Sequence, residues 1–63
     1  MIDLYEELKY INYVLEKYKK DDLIKLEVSE EKLNFYKKNI KFINLLCTVI
    51  NTKESSLTIK KTK

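Results

Sequence analysis

The 63-residue chain has no glycine, proline, histidine, arginine or tryptophan, and a single cysteine, Cys47. Without glycine and proline the usual punctuation of turns is missing, so element boundaries have to be read from helix caps. Without histidine, a lone thiol and scattered carboxylates make no zinc or iron site, and no intrachain disulfide is possible. No cofactor is therefore expected. Cys47 falls on an apolar stripe, where a free cysteine packs as a small hydrophobe, and a nucleophilic role would want a histidine the chain lacks. Met1 to Leu8 carries three acids and no signal-peptide progression. The longest apolar-rich window, Ile40 to Ile50, is interrupted by Lys41 and Asn44 and is far below the roughly 20 residues a membrane span needs. These absences predict a soluble cytoplasmic protein, or one of the host cytoplasm if the chain is viral.

What the chain does contain is lysine: all 13 cations are lysines, set against 10 acids. Residues 1 to 22 hold six acids and four lysines, residues 23 to 63 four acids and nine lysines, so an acidic first half and a basic second half can attract each other. A domain of this size buries only about 60% of the surface its unfolded chain exposes. Small chains usually add disulfides, a metal or a partner to compensate. With the first two absent, oligomerisation or a bound partner is the expected remedy.

Three caps organise the chain. Asp3 with Glu6 has capping-box spacing, and Leu4, Leu8, Ile11, Leu15 and Tyr18 then form one stripe, predicting a helix over residues 3 to 20. Ser29 is a good N-cap, and Glu30 and Glu31 suit the positive pole of a second helix starting near Glu30, with Val28 and Leu33 at hydrophobic-staple spacing. Asn51 is the residue best suited to close that helix in a left-handed conformation. Between the helices, residues 23 to 28 alternate apolar and charged and read equally as a short extended segment or a helical turn. Residues 57 to 60 suggest a short strand that could pair with residues 24 to 28, join a partner's sheet or stay disordered.

Over residues 30 to 50, Leu33, Tyr36, Ile40, Ile43, Cys47 and Ile50 make one helical stripe, and Phe35, Phe42, Leu45 and Val49 a second, with Leu46 bridging them. The expected fold is mainly α: a two-helix antiparallel hairpin over residues 1 to 52 with a lysine-rich tail over 53 to 63. The first stripe packs on the first helix. The second, Phe35, Phe42, Leu45, Leu46 and Val49, is the expected partner-binding face, covered by a protein target or by a homodimer forming a four-helix bundle. This predicts a small non-enzymatic binding module, a regulator or inhibitor of the kind encoded by phages and mobile elements.

Other chemistries fit less well. Adjacent helical acids such as Glu6 and Glu7 point about 100° apart and share no pocket. Tyrosines interleaved with lysines could hold single-stranded nucleic acid, with Lys37, Lys38 and Lys41 as contacts, but arginine, the best phosphate fork, is missing. A helix, a link and a second helix opening at a serine is loosely similar to the small sporulation-regulating aspartyl phosphatases. Their Ser-Gln-x-Leu-Asp motif is met here by Ser29-Glu30-Glu31-Lys32-Leu33, followed by Asn34, so the acid is absent and membership is not assigned.

Overall fold

The computed structural model describes residues 1–63. It has three helices and a three-stranded antiparallel sheet, in the order α1 (Leu4–Leu15), β1 (Leu23–Glu27), α2 (Glu30–Lys38), α3 (Ile40–Ile43), β2 (Thr48–Lys53) and β3 (Ser56–Lys60). The sheet order is β1-β3-β2. The mainly α hairpin, and with it the four-helix bundle, is therefore corrected: the expected second helix breaks after Lys38, its last three residues, Thr48 to Ile50, open β2, and a three-stranded sheet takes the place of a helical pair.

Both predicted N-caps are in place. The Asp3 carboxylate accepts from the Glu6 amide at 3.1 Å and Ser29 Oγ from the Lys32 amide at 3.2 Å, each satisfying a helix-start amide with no intrahelical partner. The first helix stops at Leu15 rather than near Lys20. Its end is held by a residue 46 positions away: Lys61 Nζ donates to Leu15 O, on the helix's last residue, at 2.8 Å and to Tyr18 O, in the turn beyond it, at 2.7 Å. A cation there also complements the negative pole of the helix. The tail is thus held as far as Lys61, whose backbone also exchanges bonds with Asp21 and Asp22. Tyr18, expected on the core stripe, is exposed.

The second helix ends at Lys38, and the cause is Asn39. Its side-chain amide donates to Phe35 O at 2.9 Å, and its backbone leaves the helical region at φ −117°, ψ 24°. Asparagine favours such local bonds over helix continuation. α3 then makes one turn, after which Asn44 Oδ1 accepts from the Val49 amide at 3.1 Å and ties the turn to the start of β2. From Thr48 onward the β-branched run Thr48-Val49-Ile50, with Thr52, suits a pleated surface better than a helix. Asn51, read as a helix terminator, lies in β2.

Residues 23 to 27 resolve as the extended alternative, and of the three fates open to residues 57 to 60 it is pairing with this segment that occurs, not disorder: Ile24 faces Ile59 and Leu26 faces Leu57. On the other side of β3, Val49 faces Ile59 and Thr52 faces Leu57, with Ile50 bulged out between Val49 and Asn51. The inner face of the sheet closes a core of Ile11, Leu15, Ile24, Leu33, Tyr36, Ile43, Cys47, Leu57 and Ile59. Six of the nine lay on the two predicted helical stripes. No buried polar side chain lacks a hydrogen bond. The core is complete within one chain, which removes the need for a partner to finish it.

Two turns use left-handed backbone without glycine, at Asp21 (φ 73°) and at Glu54 (φ 49°). Glu54 and Ser55 link β2 to β3 as a two-residue hairpin loop, for which a positive φ at the first position suits the twist of the strands.

Candidate binding surface

The five residues expected to share one partner-binding face are divided. Val49 sits on the inner face of β2, and Phe35, Leu46 and Val49 are half-buried against the core. Phe42 and Leu45 remain outside, 38% and 68% exposed. The physical reason is the change from helical to extended backbone after Asn44. A helix would carry Val49 around to the side of Phe42, whereas a strand points it into the sheet's inner face.

Phe42 and Leu45 lie three positions apart on one turn, with the Leu45 amide donating to Phe42 O at 3.2 Å. Ile43, between them, is 1% exposed, so the turn is anchored by one apolar side chain and offers two others to solvent. Lys41 Nζ lies 5.6 Å from the Phe42 ring centroid, and Lys63 Nζ reaches Leu45 O at 3.5 Å. Residues 32 to 53 contain five lysines and no acid. Lys37, Lys38 and Lys41 are all exposed around this α2–α3 corner, so the residues named for nucleic acid and the exposed part of the protein-binding set occupy one region. They do not form one patch. Lys37 lines a hollow with Glu30 and Glu54, and Lys38 another with Glu31, Met1 and Ile2.

α1 carries a second exposed surface. Tyr5 and Tyr13 of α1, 68% and 58% exposed, stand beside Lys9 of the same helix and Lys17 just beyond its end, with ammonium-to-ring distances of 5.6 and 4.5 Å.

Polar chemistry in the interior is confined to one group. Tyr36, 1% exposed, donates its phenol to Glu7 Oε1 at 2.5 Å, and Glu7 in turn pairs with Lys32 at 3.3 Å. Burial first, then the hydrogen bond to Glu7 and its negative charge, push the Tyr36 phenol well above its ordinary value. Burial likewise pushes the Cys47 thiol up, the direction that lowers thiolate content and reactivity. Tyr36, Glu7 and Lys32 tie α1 to α2 and lie away from the Phe42 corner in sequence and element. No cluster of three potential metal-ligating side chains exists, and no helix is long and apolar enough to cross a membrane. The chain matches no family model, no curated protein and no solved structure.

Proposed function

We propose that the chain is a small non-enzymatic module that binds another protein through the Phe42 and Leu45 corner, acting as a regulator or inhibitor of a larger partner. The exposure of these two adjacent apolar side chains carries the reading: a core closed within one chain had no need to leave a leucine 68% exposed beside a phenylalanine. Single exposed hydrophobes are common, but a pair on an anchored turn fits the pocket-filling anchors that dominate interfaces. The lysines at 41 and 63 favour a partner with an acidic rim, which would speed encounter more than it deepens affinity. The corner itself holds no histidine and no thiol, since the chain has none of the first and its one cysteine is buried.

Nucleic-acid binding is the second reading, favoured by the exposed Lys41 beside Phe42, with Lys37 and Lys38 exposed on the neighbouring end of α2. Against it, α3 is a single turn, shorter than the helix that reads a groove in helix-turn-helix proteins. Capture of partners from the native host, followed by comparison of Phe42→Asp and Leu45→Asp with a triple Lys37→Gln, Lys38→Gln, Lys41→Gln variant, separates the two. The protein reading expects the aspartates to abolish capture while the fold, followed by circular dichroism, is kept. Should the lysine triple abolish binding instead, with affinity falling steeply as salt rises, the partner is nucleic acid and the protein reading fails.

A further inference from the structure

The outer edge of β1 is built to pair with itself. The Val28 amide donates to Ser55 O at 2.8 Å and the Lys61 amide to Asp22 O at 3.0 Å. In an antiparallel ladder the residues that exchange bonds alternate. Asp22, Ile24, Leu26 and Val28 therefore turn their backbone groups toward β3, and Leu23, Lys25 and Glu27 turn theirs outward. β1 is at the margin of the sheet, and no backbone or side-chain bond from elsewhere in the chain reaches those three residues. The opposite margin, β2, is broken by its bulge at Ile50, a common device for blunting an edge. β1 has neither bulge nor proline.

The order Ile24-Lys25-Leu26-Glu27-Val28 is charge-complementary to its own reverse. We propose that two copies of the chain join their β1 edges antiparallel about a two-fold axis at Leu26, making a continuous six-stranded sheet. In this register Lys25 of each copy faces Glu27 of the other, and both pairs fall at positions whose backbone groups point outward, so four ladder bonds form. On the inner face Leu26 meets Leu26 of the second copy and Ile24 meets Val28. Leu26 and Val28 are half-buried in the single chain, so pairing completes their cover. Neither Lys25 nor Glu27 has an ion-pair partner within the chain. The register centred on Lys25 sets lysine against lysine, which is destabilising for directly opposed residues. This edge is separate from the Phe42 corner and stands or falls without it.

Sedimentation equilibrium of the full chain, from about 10 µM to about 1 mM, covers the affinity expected of so small a contact. The parent should show a reversible monomer to dimer equilibrium, with the Lys25 and Glu27 amides exchanging more slowly as concentration rises. Lys25→Glu and Glu27→Lys, both on the solvated face, should each weaken the dimer about tenfold by opposing like charges. The double swap, Lys25→Glu with Glu27→Lys, restores opposite charges and should return the dissociation constant to near the parent's. A parent that stays monomeric throughout overturns the proposal, as does a double swap no tighter than the single variants.

Discussion

At the scale of single residues, the least replaceable polar atom is the Tyr36 hydroxyl. It sits among apolar neighbours and is tolerable there because Glu7 accepts its hydrogen bond, with Lys32 balancing the carboxylate. Tyr36→Phe removes the donor while keeping the ring, and should cost about 1 to 3 kcal/mol near neutral pH, as for hydrogen bonds to charged groups. The pH dependence follows from the direction of the shift. The folded state holds the phenolic proton more tightly than the unfolded chain does, so its contribution is complete below the ordinary value of 10.0 and is lost as pH rises above it. The stability gap between parent and Tyr36→Phe, measured by urea melts from neutral to alkaline pH, should therefore narrow above that value. A gap of constant size would mean that the phenol's ionisation is not linked to folding.

At the scale of elements, the sequence declared where helices begin more clearly than where they end. Asp3 and Ser29 cap as their spacing implied, because N-capping is a local interaction between residues three apart. Helix ends were harder to see in a chain without glycine. Asn39 and Asn44 do the work of that missing punctuation, but on a helical projection Asn44 reads simply as part of the helix's polar edge. The apolar pattern of residues 40 to 50 was itself ambiguous, since a short apolar run suits a buried strand as well as a helix. The β-branched composition of Thr48 to Thr52 was the signal that favours the strand. The end of α1 was not legible at all, because its cap arrives from Lys61, across the fold. Lys61→Met keeps most of the side chain's length and apolar stem but removes both bonds, to the last α1 carbonyl and to that of Tyr18 in the turn that follows. It should lower stability by about 1 to 2 kcal/mol, and amide exchange should show faster opening over residues 15 to 18 than over α2. Uniform loosening of the whole chain would argue against a local cap.

At the scale of the whole molecule, the folded chain divides its apolar residues between closure and display, and Ile43 and Leu45 are the sharpest comparison. They stand two positions apart on the same turn, yet one is 1% and the other 68% exposed. The candidate face was legible only in part for this reason: the sequence identified Phe42 and Leu45 but could not separate them from Phe35, Leu46 and Val49, whose cover depends on a sheet formed by distant segments. Ile43→Ala deletes buried methyl and methylene groups and should cost about 2 to 5 kcal/mol. A core this small supplies roughly 3 to 5 kcal/mol in all, so that variant should be largely unfolded or melt at much lower denaturant. Leu45→Ala leaves the core untouched and should change stability by no more than about 0.5 kcal/mol, while weakening capture of the protein partner. Paired urea melts and binding measurements on the two variants test this division directly. If Leu45→Ala destabilises the fold as much as Ile43→Ala does, the leucine belongs to the core in solution, and the corner is no display surface.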